Sequence, residues 1–384
     1  MKRKTYAVTA DIVFDGMSAR SDCAVIVEGA NITAMVRRAD VPAGIPIETL
    51  AGGAWLAPGF IDCQVNGGGD VLFNDSPTAE GIAAIVAAHR RFGTTSLLPT
   101  LITDTPEKMR AARDAVAAAM VGQPSVLGVH FEGPFLSPEK CGVHDPTLMR
   151  APDEGDLQLL TSLKDGVTLV TLAPERVPAG FIRALTTRGV RVALGHSMAS
   201  YEQTQAAIAD GLTGFTHLFN AMRPMSAREP GPIAAALEMP GCWVGLIVDG
   251  AHVAPAMLRL ALRGAGAPML VTDAMPPVCG IKDRFTLQGR DILARDGRCI
   301  TQDGTLAGSG IDMASAVRNC VQLLGVPLTD VLRFASLSPA TFLGVDDRLG
   351  RLAPGYRADM VALDPKDVRV LSTWVAGAFL AGNS

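Results

Sequence analysis

Short apolar runs alternate with longer segments of helical periodicity from about residue 57 to about residue 345. Apolar runs of about four to eight residues indicate buried strands, and apolar residues that recur every three or four positions indicate amphipathic helices. The predicted strands are Ala57–Asn66, Thr95–Leu101, Val126–Gly133, Val167–Pro174, Arg191–Ser197, Gly214–Asn220, Trp243–Gly250 and Met269–Met275. The predicted helices include Thr78–Phe92, Pro106–Met120, Ala179–Arg188 and Tyr201–Asp210.

Eight strand-then-helix units in about 290 residues predict an α/β fold, a (β/α)8 TIM barrel of the metal-dependent hydrolase type. A doubly wound open sheet is the alternative, but it rarely carries eight such units. The flanks, residues 5–50 and the last thirty residues, are β-rich and too short to form stable domains separately. We therefore predict a small β-sandwich domain from residues 1–56 and 355–384, and a catalytic barrel over 57–354.

One stretch inside the barrel departs from the alternation of strands and helices. Residues 279–310 follow the eighth predicted strand and contain short strand patterns of their own. Inserts that follow barrel strands lie on the catalytic face, so we expect this β insert to shape the pocket.

Composition and charge exclude several classes of protein. The net charge of −4 gives no sign of the clustered Lys and Arg that a nucleic-acid surface needs. No apolar run reaches the roughly 18–20 residues that span a bilayer, and the opening residues do not resemble a secretory signal. Seven cysteines without a CxxC pair favour reduced thiols over a disulfide framework. These features predict a cytoplasmic protein with no nucleic-acid or membrane partner.

Polar side chains occur where the predicted strands end, which is where barrel enzymes carry out their chemistry. Three of the six histidines lie at strand ends, and a fourth, His252, directly follows one. Glu132, His196 and His217 end the third, fifth and sixth strands. One carboxylate and two imidazoles can hold Zn2+ and leave a position for water, whose pKa the ion lowers to about 7.

Asp273 ends the eighth predicted strand, across the barrel mouth from these three residues. A carboxylate there could accept a proton from water and return it to a leaving nitrogen. Amide hydrolysis needs the second transfer because an amide anion is a very poor leaving group. Asp273 therefore fits a general acid and base, although an Asp in this place could also cap the following turn.

Several further side chains are candidates for binding substrate. Arg228 and His252 could hold an anionic group such as phosphate. The loop 304–310 is rich in glycine, so its backbone could approach a ligand closely or form a simple turn. His144 follows the third strand at loop distance and could contact substrate or polarise a carbonyl. His89 lies within a helical pattern and is interpreted as structural.

The strand-end motifs, taken together, resemble the N-acetylglucosamine-6-phosphate deacetylases of the amidohydrolase superfamily. The motifs are HFEGPF (130–135), GHS (195–197), THLFNAM (216–222), DGAH (249–252), TDAM (272–275) and TLAGS (305–309). PGFID (58–62) and GYRADMVALD (355–364) resemble the edges of that superfamily's barrel. The resemblance covers nearly the whole chain, and HxEGPF with THLFNAM is its most specific part.

The resemblance implies roles for named residues. Glu132, His196 and His217 would bind the metal, and Asp273 would be the acid and base. Val143 and His144 match the family's pocket loop; in the reaction, His144 could stabilise the developing oxyanion. The implied substrate contacts are Val143, His144, Asn220, Ala221, Arg228, His252, Leu306, Ala307 and Gly308. Members are usually homodimers, in which Arg228 would reach the neighbouring subunit's site. Cys141 matches nothing diagnostic.

Gln64 and Asn66 occupy the first-strand positions where many metal amidohydrolases carry a His-x-His pair for a second metal. Amide oxygens are weak ligands for a zinc-like ion, so these residues indicate a vestigial second position and one divalent metal per subunit. Zinc suits the three predicted ligands best, and Fe2+, Co2+ or Mn2+ could occupy the same site.

The reaction implied is hydrolysis of N-acetyl-D-glucosamine 6-phosphate to D-glucosamine 6-phosphate and acetate. A deacetylase for N-acetylgalactosamine 6-phosphate is an open alternative, because the two sugars differ in the orientation of one hydroxyl. A dihydroorotase-like enzyme is disfavoured by the absence of a His-x-His pair and of a strand lysine. A catalytically dead scaffold is disfavoured because it would bury the complete polar set without a purpose.

Overall fold

The computed structural model describes residues 4–382, which form two compact units. The first unit contains residues 4–62, 89–96 and 312–382, and the second contains residues 63–88 and 97–311. The domain limits predicted above, 1–56 with 355–384 and 57–354, stay a prediction, and residues 1–3 and 383–384 lie outside the described part.

Eight strands form one sheet in chain order, as the predicted (β/α)8 barrel requires. They are Phe60–Val65, Thr94–Ile102, Gly128–Glu132, Val167–Leu172, Arg191–Leu194, Gly214–Phe215, Trp243–Leu246 and Ala267–Leu270. The recorded pairings from the second strand to the eighth are parallel. A parallel bridge between Val65 and Ala274 joins the first strand to the segment after the eighth and closes the ring. The barrel prediction is confirmed.

Several barrel strands end earlier than the sequence pattern predicts. The sixth pairs only over Gly214–Phe215, although the apolar run continues to Asn220. Beyond this short strand, the Thr216 amide still donates to the Leu194 carbonyl at 2.9 Å and the Leu218 amide to the Gly245 carbonyl at 2.8 Å, but His217 has a positive φ and the regular strand ends. The apolar pattern continues because both parts of the run are buried, so periodicity alone does not mark the end of the strand.

One helix follows each of the first seven barrel strands, and three more follow the insert. The helices are Ala79–Arg90, Pro106–Met120, Glu154–Leu160, Phe181–Thr186, Tyr201–Ala209, Gly231–Glu238, Pro255–Ala261, Met313–Leu324, Leu328–Phe334 and Leu337–Leu343. Their starts follow local chemistry: Ser200 and Gln203 form a capping box, and Thr105 caps a helix that begins with Pro106. Across residues 4–382, no helix combines the length and apolarity needed to cross a membrane.

The two flanking segments, within residues 4–58 and 360–382, form a β-sandwich, as their β-rich patterns predict. One sheet contains Thr5–Thr9, Cys23–Glu28, Asn31–Arg37 and Ile47–Thr49. The other contains Ile12–Phe14, Ala19–Arg20, Trp55–Pro58, Met360–Asp364, Arg369–Val375 and Ala378–Ala381. Trp55–Pro58 pairs antiparallel with Met360–Asp364, so the two flanks share one sheet. Both sheets bury apolar side chains in a common core that includes Val8, Val25 and Trp374.

The insert after the eighth barrel strand is a four-stranded antiparallel sheet. Its strands are Arg284–Leu287, Arg290–Arg295, Arg298–Thr301 and Leu306–Ser309. The last strand is tied to the end of the barrel, since the Ser309 amide donates to the Asp273 carbonyl at 2.8 Å and the Met275 amide donates to the Ser309 carbonyl at 2.9 Å. The insert therefore fixes the backbone on both sides of Ala274.

Candidate active site

Three donor atoms meet at the carboxyl ends of the third, fifth and sixth barrel strands. Oε1 of Glu132 lies 3.1 Å from Nε2 of His196 and 2.9 Å from Nε2 of His217, and the two nitrogens are 3.1 Å apart. A tetrahedral zinc ion with bonds of about 2.0–2.1 Å holds its ligand atoms roughly 3.3 Å apart. All three side chains are buried. Their donor atoms thus have the spacing and chemistry of ligands to a single ion.

The orientation of the His196 ring is set by a backbone carbonyl. Nδ1 of His196 lies 2.7 Å from the carbonyl oxygen of Lys140, which can only accept, so Nδ1 carries the proton. The lone pair is therefore on Nε2, the atom that faces Glu132 and His217. A ligating histidine is typically oriented in this way by a partner on its other nitrogen.

The backbone turns sharply at three of the site residues. His196, His217 and Asp273 have φ values of 48°, 33° and 53°. A positive φ is uncommon for residues other than glycine, and such conformations concentrate at functional sites. The turns direct these side chains from the strand ends into the barrel mouth instead of along the sheet.

Glu132 and His217 form a buried ion pair. Burial raises the pKa of Glu132, but its interactions with Nε2 of His196 and Nε2 of His217 outweigh burial and leave the pKa well below its usual range. Burial lowers the pKa of His217, but the hydrogen bond and charge of Glu132 outweigh it and leave the pKa raised. A divalent cation that binds these atoms competes with the proton on His217, so metal affinity is expected to fall as pH falls.

Asp273 lies beside this group in an environment that favours its neutral form. Burial, followed by the negative charge of Glu132, raises the pKa of Asp273 to about 6. The Gln64 amide joins the two acids: its Nε2 is 3.1 Å from Oε2 of Glu132 and 3.1 Å from Oδ1 of Asp273. A carboxyl that titrates near neutrality can both accept and return a proton, which is what a general acid and base needs.

A pocket of about 310 Å3 opens over these residues. Its lining includes all four candidate chemical groups together with Val143, His144, Asn220, Ala221, His252, Leu306 and Gly308. Two predicted substrate contacts are outside the lining: Arg228 is exposed, and Ala307 is buried in an apolar cluster that joins the insert to Ile102, Val143 and Met275. Gln64 and Asn66 are buried and also lie outside the lining.

The lining also contains residues that the sequence did not single out. They are Ile102, Glu139, Lys140, Gly142, Met275 and Thr305. Lys140 contributes through its carbonyl, which any residue would supply, so its side chain carries no sequence signal for that contact. Thr305 and Met275 are the first residue of TLAGS and the last residue of TDAM, so they could have been included on that ground.

His144 is held as a neutral donor. Thr103 contacts its Nδ1 twice, through the hydroxyl at 2.9 Å and the backbone amide at 3.4 Å. Burial, followed by the charge of His196, lowers the pKa of His144 to about 3. Since the backbone amide can only donate, Nδ1 accepts and the proton lies on Nε2. A neutral imidazole with a donating Nε2 is suited to stabilise a developing negative charge.

His252 has the opposite tautomer. Its Nδ1 lies 2.7 Å from Oδ2 of Asp249, which also accepts hydrogen bonds from the amides of Ala251 and His252 through Oδ1. Burial raises the pKa of Asp249, but these hydrogen bonds and the charge of His252 leave it lowered. With Nδ1 donating to a carboxylate, Nε2 is free to accept a hydrogen bond from a sugar hydroxyl or, once protonated, to donate to an anion.

Gly195, which precedes His196, has no room for a side chain. A Cβ there would lie 2.5 Å from Cγ2 of Thr171 and 3.1 Å from Cβ of Thr216. We expect Gly195→Ala to lower the free energy of unfolding by about 1–3 kcal/mol, the usual cost of overpacking, and to weaken metal binding by displacing His196. Urea unfolding and metal titration measure the two effects. Gly122→Ala is the control because a Cβ at Gly122 meets no atom within 4 Å.

Comparison with known proteins agrees with this geometry. The model of the amidohydrolase family matches residues 55–380. An N-acetylgalactosamine-6-phosphate deacetylase of Shewanella sp. (strain ANA-3) is 44% identical over 85% of this chain and 83% of its own length. An N-acetylglucosamine-6-phosphate deacetylase of Haemophilus influenzae is 34% identical over 97% of this chain and 98% of its own.

A solved structure extends the similarity to three dimensions. The N-acetylglucosamine-6-phosphate deacetylase of Pasteurella multocida superimposes with a TM-score of 0.95 at 36% identity, over 98% of this chain and 100% of that one. A shared fold at this identity and coverage goes beyond the barrel architecture, which many unrelated enzymes have in common. Taken with the match across residues 55–380, it places the chain in the amidohydrolase family.

Proposed function

We propose that the protein hydrolyses the acetamide of N-acetyl-D-glucosamine 6-phosphate, giving D-glucosamine 6-phosphate and acetate. The observation that carries the proposal is the triangle of Glu132, His196 and His217 with Asp273 beside it in one pocket. This set combines metal ligands with a proton carrier, which is what hydrolysis of an unactivated amide requires. The named relatives act on N-acetylated, phosphorylated amino sugars, and they supply the substrate class.

The site residues are proposed to have separate roles in the reaction. A divalent metal, when bound, acts as a Lewis acid and lowers the pKa of water. Asp273 takes up a proton from the attacking water and passes it to the leaving nitrogen. His144 donates from Nε2 to the carbonyl oxygen as negative charge develops there. Glu132, His196 and His217 hold the ion, for which zinc is the proposed identity.

The remaining pocket residues are proposed to bind the sugar phosphate. Asn220, Ala221, His252, Leu306 and Gly308 line the space beside the proposed metal ligands, and Ala307 is buried between the last two. Arg228, exposed on its own subunit, is proposed to contact phosphate in the neighbouring subunit of a homodimer. A location in the reducing cytoplasm is proposed because the sequence has an odd number of cysteines, seven, and no CxxC pair.

The competing substrate is N-acetylgalactosamine 6-phosphate, which the most identical of the relatives above is named for. Acetate release should be measured from both phosphorylated sugars with protein whose metal content is determined by elemental analysis. A kcat/KM at least tenfold higher for the gluco sugar supports the proposal, and the reverse preference selects the galacto alternative. Loss of acetate release after chelation, with recovery on adding zinc, tests the metal requirement.

Asp249 is expected to act through His252. The Asp249→Asn variant loses the carboxylate that fixes the imidazole, so we expect KM to rise about tenfold or more while kcat changes little. Steady-state kinetics of Asp249→Asn, His252→Ala and the double variant measure this. If the two residues act as one unit, the double variant matches His252→Ala alone; additive losses would show that Asp249 acts independently.

A further inference from the structure

Two buried amides lie beneath the pocket and contact both acidic groups of the site. Gln64 is 2% exposed and Asn66 is fully buried. Nε2 of Gln64 is 3.1 Å from Oε2 of Glu132 and 3.1 Å from Oδ1 of Asp273. Nδ2 of Asn66 is 2.6 Å from the same Oδ1. Gln64 and Asn66 are not among the proposed metal ligands. Gln64 nevertheless contacts the proposed ligand Glu132, and both amides contact Asp273, the proposed proton carrier.

The direction of these hydrogen bonds follows from the partners. An amide nitrogen carries two hydrogens, so Nε2 of Gln64 can donate to both carboxylates at once. Turning the Gln64 amide over would bring its oxygen against two carboxylate oxygens, which is unfavourable in a buried place. The same holds for Asn66 and Asp273. Both side chains therefore act as donors.

Each carboxylate consequently has two unlike oxygens. Oε1 of Glu132 faces His196 and His217, while Oε2 is held by Gln64. Oδ1 of Asp273 accepts from both amides, while Oδ2 accepts no hydrogen bond from any residue within 4–382. The oxygens that face the chemistry are Oε1 of Glu132 and Oδ2 of Asp273.

We propose that Gln64 and Asn66 are positioning residues that determine which oxygen of Glu132 binds the ion and which oxygen of Asp273 carries the proton. Gln64 holds Oε2 of Glu132 so that Oε1 alone binds the ion, and both amides hold Oδ1 of Asp273 so that Oδ2 carries the proton. The second part rests on the proposed function, because it needs Asp273 to be the acid and base. The first part concerns metal coordination and stands without it.

Backbone hydrogen bonds connect the segment of Gln64 and Asn66 to the segment of Asp273. The Asp273 amide donates to the Gln64 carbonyl at 3.0 Å, and the Asn66 amide donates to the Ala274 carbonyl at 2.9 Å. These backbone hydrogen bonds lie where the first and last barrel segments meet. They therefore fix the positions of Gln64, Asn66 and Asp273 relative to one another. Positioning by such partners typically changes metal affinity or activity by about 10- to 100-fold.

The test uses the full chain loaded with Co2+, whose visible spectrum reports coordination, together with steady-state kinetics. Gln64→Leu removes the donor to both carboxylates. We expect kcat to fall about 10- to 100-fold at unchanged KM, and the Co2+ absorption to weaken as the second oxygen of Glu132 reaches the ion. The side chain of Asn66 donates to Asp273 and not to Glu132. The Asn66→Leu variant should therefore have a lower kcat and the Co2+ spectrum of the wild type.

Asn74→Leu is the matched control. Asn74 is a buried amide that bonds Ile102 and Asp104 and does not contact Glu132 or Asp273. Its loss should lower Tm without altering the Co2+ spectrum. A wild-type spectrum together with wild-type kcat in Gln64→Leu would overturn the proposal, as would identical spectral changes in Asn74→Leu. If the wild type releases no acetate from either sugar but Gln64→Leu still changes the spectrum, the proposed function fails and the coordination part holds.

Discussion

Asp273→Asn should retain the metal and lose roughly 10²- to 10⁴-fold in kcat, the range that general acid–base catalysis contributes. The asparagine has nearly the same shape but cannot take up a proton from water or return one to the amine. The three proposed metal ligands are unchanged, so the metal content of the variant should equal that of the wild type. Elemental analysis and acetate release measure the two quantities on the same preparation.

Two controls separate the loss of the proton carrier from other effects. Asp296→Asn removes the same charge at an exposed position whose φ of 52° asparagine tolerates well, and its activity should be unchanged. The Asn66 amide donates to Oδ1 of Asp273. In Asp273→Asn this hydrogen bond is kept when the side-chain oxygen of the introduced asparagine occupies the position of Oδ1. A variant with full metal and near-normal turnover would remove Asp273 from the mechanism.

The pH dependence gives a second measure of Asp273. A pKa raised to about 6 means that the carboxyl is largely neutral below pH 6 and ionised above it. A base must be ionised to accept the proton of water, so kcat/KM should fall as pH decreases through this region. A bound cation favours the ionised form and moves the fall to lower pH. With metal kept at saturating concentration at every pH, the acid limb should be absent from the residual activity of Asp273→Asn.

The sequence predicted the metal triangle because barrel topology turns sequence order into proximity. Glu132, His196 and His217 are far apart along the chain, but parallel strands end on one face of a closed sheet. A polar residue at the end of an apolar strand run is easy to recognise. The same argument located Asp273, which ends the segment that closes the barrel against Val65.

The hydrogen bonds around the triangle could not be predicted in this way. Gln64 and Asn66 were interpreted only as a vestigial metal position, because their oxygens are poor ligands; their donor role depends on side-chain orientation. The partner of His196 is the Lys140 carbonyl, which has no side-chain signature. Arg228 lies outside the pocket of its own chain, and its predicted contact with a neighbouring subunit stays a prediction.

His217→Gln is expected to abolish stoichiometric metal binding and lower kcat/KM by roughly 10³-fold or more, since Lewis-acid catalysis is worth several kcal/mol. A glutamine cannot supply the imidazole nitrogen that lies 2.9 Å from Glu132 and 3.1 Å from His196. In the variant, the buried carboxylate of Glu132 keeps His196 as a partner and loses the imidazole of His217. Zinc at 100 times its Kd should stabilise the wild type by about 2.7 kcal/mol. Thermal unfolding with and without zinc should therefore show a rise in Tm for the wild type and none for the variant.

The matched control is His130→Gln, which replaces another buried imidazole of the barrel, on the third strand instead of after the sixth. His130 bonds the hydroxyls of Thr100 and Thr171 and has no bond to the metal triangle. Its loss should lower Tm yet leave the zinc-dependent rise intact, because the three donor atoms are retained. A full equivalent of zinc in purified His217→Gln, with a wild-type rise in Tm, would show that the ion is held elsewhere. Since Asp273 is proposed to take its proton from water activated by an ion at this triangle, that role would then have no support.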